Sequence, residues 1–218
     1  QFASSAASDV YKRQVSYRSN NTDTPEPYEI NITLFDAMKE SFNKEVNLYL
    51  ERFICIHAIM LSLEGVPAFY IHSLFGTRND YALYKQNNHN RSLNRGKIKI
   101  SEIDLSNESE PQSYIFLQLK KLMLIRKKQP AFHPNAVQFT LHLGTNLYGI
   151  WRQSLDKKQS IFCISNLTDE SVKLSLLDLN LIGFDHWRDI ITEIEVDDIT
   201  SEIELRPYQT MWLTNLQD

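Results

Sequence analysis

Residues 43–74 read NKEVNLYLERFICIHAIMLSLEGVPAFYIHSL, and this stretch decides the architecture. Its first part is long and nearly all apolar on its later turns, which predicts a helix buried on most sides. Asn43 suits the N-cap, and Glu45 falls in the first turn, where the helix dipole favours an anion. Gly65 suits the position just past the helix end. The run VPAFYIHSL follows at once. It is rich in β-formers and apolar without alternation, as in a parallel strand covered on both faces. One parallel strand cannot form a sheet by itself. The pair therefore predicts the end of an α/β domain whose other strands lie upstream of this segment.

Downstream, a polar loop runs from Phe75 to about Ser109. PQSYIFLQLKKLMLIRKKQ (111–129) then predicts a second helix, with a stripe of Ile115, Leu119, Leu122 and Ile125 and cations gathered at its C-terminal end. From Asn135 the texture changes to the short β runs FTLHL, LYGIWR, SIFCIS, VKLSL and QTMWLT, separated by GTN, LDKK and NLTDE turns. That pattern predicts a small antiparallel sandwich able to fold by itself. Upstream, residues 15–43 are rich in Asn, Thr, Pro and Tyr and read as irregular. Residues 1–14, QFASSAASDVYKRQ, are read as an adaptor-derived or disordered tail with no function. The fold class is thus α/β plus all-β, divided as 1–14, 15–130 and 135–218. Residues 15–130, with an apolar helix and strand, are expected not to fold alone.

Composition narrows the function. With 42% hydrophobic and 23% charged residues the 218-residue chain is an ordinary globular one. Its net charge of −4 argues against a nucleic-acid partner, which would want a basic face. No uncharged apolar stretch is long enough for a membrane span. Cys55 and Cys163 sit in apolar runs and read as buried, unpaired thiols, in keeping with a reducing cytoplasm. The six His and two Cys show no metal spacing. Trp151, Trp187 and Trp212 read as β-domain core rather than a carbohydrate-binding surface, and His57 as a packed core residue. His72 ends the expected strand, where packing and function are equally open.

Two stretches carry a family resemblance. GVPAFYIHSLFGTRNDYALYKQNNHNRSLNRGKI (65–98) keeps a Gly-x-x-Asn-Asp turn at Gly76, Asn79 and Asp80, an Asn87–Asn88 pair, and an Arg-x-x-Asn-Arg element at Arg91, Asn94 and Arg95. PEPYEINITLFDAM (25–38) carries a Tyr-Glu-x-Asn core at Tyr28, Glu29 and Asn31. In this order they resemble the last barrel strand, the following loop and the acceptor loop of sucrose phosphorylase-type sugar phosphorylases, glycoside hydrolase family 13. LIRKKQPAF and RPYQTMWL are also similar to segments of these enzymes, so the resemblance runs from Val15 to Leu213.

The resemblance implies the C-terminal end of a (β/α)8 barrel followed by a β domain, with the site at the C-terminal ends of the strands. It implies a retaining double displacement between two carboxyl groups, with inorganic phosphate as co-substrate, no cofactor, and α-glucose 1-phosphate as product. The family's nucleophile Asp, acid/base Glu and His-Asp pair belong to earlier strands and find no counterpart here, so the chain alone is expected to be inactive. Arg91 corresponds to the arginine that holds the glucosyl unit, a task suited to a guanidinium fork. Tyr28, Glu29 and Asn31 fall in the acceptor loop, while Gly76, Asn79, Asp80, Asn94 and Arg95 organise the long loop. Sucrose phosphorylases of the simplest type carry Gln at the position of Glu29, whereas glucosylglycerate and sucrose 6′-phosphate phosphorylases more often show Tyr-Glu-x-Asn, so the resemblance implies one of those two substrates rather than plain sucrose. Two other readings stay open: a family 13 hydrolase or amylosucrase-like transglucosidase, and a carbohydrate-binding or interaction module.

Overall fold

The computed structural model describes residues 15–19, 25–40, 48–99, 101, 103–107, 109–181 and 186–215. The tail 1–14 and the expected N-cap residues Asn43 and Glu45 lie outside the described residues. The chain divides into two compact units. One gathers the described residues before position 43 with Tyr70–Ser113, and the other gathers those from Leu48 to Phe69 with Tyr114 onward. This is not the division expected at residues 130–135, for the two long helices segregate with the β strands.

In the first unit, strands β1 (Val15–Arg18) and β2 (Glu26–Ile30) pair antiparallel, with Val15 opposite Ile30 and Ser16 opposite Glu29. Sequence reading expects no regular structure here. The alternation is hidden by Pro27 and by a register shift between Ser16 and Tyr17. A two-stranded ribbon accepts that proline because each strand has an open edge where a missing N–H costs nothing. Helix α1 (Leu34–Glu40) follows. Thr33 starts it: Thr33 Oγ1 accepts from Asp36 N at 3.3 Å, and Thr33 O accepts from Ala37 N at 3.0 Å.

The expected parallel strand is not formed. Among the described residues, 66–70 pair with no strand, and a short helix α3 (Ile71–Leu74) begins where the strand was to continue. The backbone before it is extended, with Tyr70 at φ −76° and ψ 137°. Val66 is 80% and Tyr70 53% exposed. The β-rich composition thus sets the dihedrals, whereas a ladder also needs a neighbour, and Pro67 offers no N–H toward one. Helix α4 (Tyr81–Asn87) and a 3₁₀ turn at Asn90–Ser92 complete this unit.

The second unit is built on a six-stranded antiparallel sheet in the order β3-β4-β5-β10-β7-β8. Its strands are β3 (Val137–Leu141), β4 (Leu147–Gln153), β5 (Ser160–Asn166), β7 (Trp187–Asp189), β8 (Ile194–Val196) and β10 (Thr210–Thr214). A two-stranded sheet, β6 (Val172–Ser175) with β9 (Glu202–Leu205), lies beside the second of two cores. Period-2 alternation sends the central strands' side chains both ways. Phe162, Ile164, Met211 and Leu213 meet Leu174, Leu176 and Leu205. Ile150, Ile161, Cys163 and Trp212 face the other way, onto Ala58 and Leu61 of α2 (Tyr49–Ser62), Leu122 of α5 (Pro111–Lys128), and Phe132. Trp187 and Trp212 are buried and Trp151 packs against the core, so the tryptophans are core residues.

A fragment starting at residue 135 would strip the helices from one apolar face of the sheet. We expect such a fragment to aggregate without a cooperative thermal transition by circular dichroism, whereas the same strands carrying residues 48–134 melt cooperatively.

Helix α2 ends at Ser62, three residues before Gly65, which takes a left-handed φ of +89° and donates to Pro134 O at 3.2 Å. Arg126 closes the helix end instead, with Nε to Leu61 O at 2.7 Å and Nη2 to Gly65 O at 3.2 Å. His57 is buried, its Nδ1 2.8 Å from Phe53 O, and burial pulls its pKa down. No described helix is long and apolar enough to cross a membrane.

Cys55 and Cys163 are unpaired and buried, and burial raises both thiol pKa values. Because the thiolate is the reactive form, both should label at least about 100-fold slower than a free thiol. An aromatic disulfide reagent should register two thiols only after denaturation; rapid native labelling of either would contradict this packing.

Candidate functional site

The Tyr28–Glu29 pair and the Arg91 element come from segments about sixty residues apart, and the first unit brings them together. Arg91 sits in the 3₁₀ turn after α4. Its Nε donates to Glu29 Oε2 at 2.9 Å and its Nη2 to the Tyr28 hydroxyl at 3.1 Å. The hydrogen bond and charge of Arg91 hold the Glu29 carboxyl below its usual range, and Glu29 in turn raises the guanidinium pKa. Arg91 Nη1 has no hydrogen-bond partner among the described residues.

Asn31 takes a different position from its neighbours. It is fully buried, and its Nδ2 donates to Ser16 Oγ at 2.7 Å. The same Ser16 oxygen accepts from Asn90 Nδ2 at 3.4 Å. Asn31 therefore lies beneath the hairpin, in a chain of contacts running toward the Arg91 turn, rather than at a surface open to a ligand.

The loop-organising candidates each have a local task. Gly76 adopts φ +52° and donates to Ser73 O at 3.2 Å. Asn79 Oδ1 accepts from Thr33 N at 2.8 Å, and Asn79 N donates to Asp36 Oδ2 at 2.7 Å, which ties the loop to the start of α1. Asp80 caps α4 by accepting from Leu83 N at 2.8 Å, and its own N donates to Leu93 O at 2.7 Å. Gly96 leaves room for that cap: a Cβ there would lie 3.0 Å from Asp80 Cβ. Asn94 is partly buried, its Oδ1 without a partner among the described residues. Arg95 is exposed, and its charge also lowers the Glu29 pKa.

An open cavity of about 450 Å³ lies over this cluster, lined by Ser16, Tyr17, Tyr28, Asn88, His89 and Arg91 among others. Ser16, Tyr17, His89 and Asn90 escaped sequence reading because no motif marks them. The register of the hairpin is the signal, and Pro27 conceals it. A further cavity of about 470 Å³ is lined by His72, Thr77, Arg78 and Lys97 among others. His72 is buried, with Nδ1 2.7 Å from Thr77 Oγ1, and burial lowers its pKa. Among the described residues no group of three or more His, Cys, Asp or Glu could hold a metal.

The cluster gathers a guanidinium fork, a phenol and a carboxylate, close together and half-open, groups whose chemistry suits hydrogen bonds to hydroxyls or anions. The sign of its pH dependence follows from the lowered Glu29 pKa. The pair is intact above the ordinary carboxylate range and is lost as pH falls through the depressed folded value. Carboxyl NMR should place the Glu29 midpoint below that of a free glutamate, and Arg91→Ala should move it up toward the free value. An unshifted midpoint would break the assignment.

No protein-family profile matches the chain. Curated relatives do. A glucosylglycerate phosphorylase of Escherichia coli strain K12 is 35% identical over 204 residues, 91% of this chain and 34% of that protein. One from Allomeiothermus silvanus is 34% identical over 202 residues, covering 90% and 33%. The chain spans about a third of the length of these relatives. Among solved structures, AmyP in complex with maltotriose superposes with a TM-score of 0.64 at 18% identity, over 82% of this chain and 37% of that one. An α-amylase of Geobacillus thermoleovorans complexed with acarbose gives 0.61 at 14%, over 84% and 36%. At these identities the likeness to the solved structures is one of fold.

Proposed function

We propose, from the premise that this chain is a relative of the sugar phosphorylases of glycoside hydrolase family 13, that it supplies the glucosyl-holding arginine and the acceptor loop of a retaining α-glucosyl phosphorylase. Its substrate is a glucosylglycerate-like α-glucoside, inorganic phosphate is the co-substrate, and the products are α-glucose 1-phosphate and glycerate. The convergence of Arg91, Glu29 and Tyr28 carries this reading. The names of the curated relatives favour glucosylglycerate over sucrose or sucrose 6′-phosphate.

The pairing also answers an electrostatic objection. A carboxylate in an acceptor loop repels phosphate, yet Glu29 is matched by the Arg91 guanidinium 2.9 Å away. The pair presents little net charge to an incoming anion, while Glu29 keeps lone pairs for acceptor hydroxyls and Arg91 keeps Nη1 for the glucosyl unit. The bond-breaking carboxyl pair comes from other parts of the full-length protein. In that protein the extended, unladdered residues 66–70 form the closing strand of a (β/α)8 barrel. The 218-residue chain alone does not turn over.

Assaying the full-length protein with glucosylglycerate, sucrose and sucrose 6′-phosphate, each with and without phosphate, tests the reading. Phosphate-dependent release of glucose 1-phosphate, fastest from glucosylglycerate, is expected. Glucose release that ignores phosphate would turn the assignment to a hydrolase or transglucosidase. Turnover by the 218-residue chain alone would remove the claim that its chemistry is completed elsewhere.

A further inference from the structure

A cavity of about 400 Å³ lies wholly within the sheet-bearing unit, between α2, α5 and the turn Arg206–Gln209. Its wall is apolar at Ile54, Ala58, Leu122 and Ile191. Polar groups of Glu51, Gln118, Arg206 and Gln209 share the space with Tyr114 and Tyr208. None of these residues belongs to the Glu29–Arg91 cluster. Two features mark the cavity as more than a packing gap. Glu51 lies in the first turn of α2, and its Oε2 is closed off from solvent with no hydrogen-bond partner among the described residues. A carboxylate oxygen deprived of both water and a donor is a standing deficit, which an occupant donating a hydroxyl would remove. The turn beside it holds Tyr208 in the left-handed region at φ 53°, a conformation that persists in a bulky residue only when its surroundings impose it.

We propose that this cavity is a non-catalytic binding site for a neutral polyol ring of hexose size. The volume lies in the range of small-molecule sites, where an apolar wall and a few convergent polar groups fix one orientation. A pyranose has an apolar C–H face for Ile54, Leu122 or a tyrosine ring, and an equator of hydroxyls that both donate and accept. Glu51 accepts from it, the Gln118 carboxamide both donates and accepts, and Gln209 Nε2 and the Arg206 Nη groups donate, the Gln209 Oε1 being held by Arg206 N at 3.0 Å and Nε at 3.4 Å. A zwitterionic amino acid would use the charges of Glu51 and Arg206 but leave the two amides unanswered. The proposal does not rest on the phosphorylase reading, for it uses no residue of that site.

The test is ligand-observed NMR titration of D-glucose on the full-length protein carrying Arg91→Ala, which cripples the Tyr28–Glu29–Arg91 site. Binding in the millimolar range is expected to persist there, and to weaken at least about tenfold on adding Glu51→Ala or Gln118→Ala, as loss of one good hydrogen bond implies. Each variant is checked for an unchanged thermal transition. If Glu51→Ala does not fold, Gln118→Ala on the helix surface decides. Binding abolished by Arg91→Ala alone, binding indifferent to both cavity substitutions, no binding at all, or equal binding of alanine would each overturn the proposal. Phosphorolysis is read in a separate assay, so failure here leaves that reading untouched, and the reverse.

Discussion

Arg152→Met is expected to lower unfolding stability by about 2–4 kcal/mol, because it takes the donors from buried carbonyls at about 1–3 kcal/mol each. Arg152 is 0% exposed, and its contacts are carbonyls rather than a carboxylate. Nη1 donates to Ser62 O at 2.8 Å, Nη2 to His133 O at 3.0 Å and Ala136 O at 3.3 Å, and Nε to Val137 O at 3.4 Å. One guanidinium on β4 thus satisfies the end of α2, the turn after α5 and the start of β3. Phe132 packs nearby, its ring centroid 5.9 Å from the guanidinium carbon. Burial lowers the Arg152 pKa, and arginine stays charged regardless.

Methionine fills the volume but removes these donors from the carbonyls of the buried Ser62 and Ala136, while His133 O keeps its bond from Ala136 N at 2.9 Å. Arg152→Lys should recover less than half, because an ammonium cannot span carbonyls arrayed around a planar fork. The measurement is thermal or chemical unfolding of the full-length protein followed through the β-domain tryptophans. A shift of less than about 1 kcal/mol for Arg152→Met, the size of an ordinary surface substitution, would mean that the clamp does not hold the helices to the sheet.

The second large effect is on activity. On the proposed function, Arg91→Ala in the full-length protein should reduce kcat/KM for phosphorolysis by about 10²–10³-fold, the scale for loss of one directed donor in a site. The substitution removes the guanidinium that the proposed function places on the glucosyl unit, and with it the hydrogen bonds to Glu29 and Tyr28. The substitution also leaves Glu29 without its ion-pair partner, a bare carboxylate that would repel the proposed phosphate co-substrate. Glu29→Gln in the same background should recover part of the loss in the phosphate KM, since it removes the charge but keeps the side chain's shape. Arg95→Ala is the control: exposed and acting on Glu29 only through its charge, Arg95 should matter less than tenfold. If Arg91→Ala left kcat/KM within threefold of wild type, the cluster would be a structural ion pair in an exposed loop. Such pairs contribute little to stability, and nothing in this one would then point to a ligand.

Legibility in the sequence followed the range of the interaction. The helices at 49–62 and 111–128 and the strands from residue 137 on were readable because period and turn residues are local signals. Gly76, Asn79 and Asp80 were singled out through the family resemblance, whereas the left-handed turn at Gly76 and the N-cap at Asp80 are features of the folded loop. The segment at 66–70 was read as a strand on composition, yet strand formation depends on a second chain segment that composition does not mention. The hairpin at 15–30 was missed because Pro27 and the bulge break its alternation. Arg152, in the run LYGIWRQ, looks like the polar half of an alternating strand, and nothing local distinguishes it from a solvated arginine.

From its residues alone, this protein had its helical and β segments, its buried thiols, its core tryptophans and a resemblance spanning most of the chain. Those follow from nearest-neighbour sterics and from side chains that prefer one solvent. Only the folded chain decided that α2 and α5 cover one face of the β sheet, that Arg152 bonds to carbonyls on three segments, and that Arg91 meets Glu29 across 62 positions of sequence. Each of these joins groups whose proximity is set by the packing of whole elements, and no window of neighbouring residues contains that information.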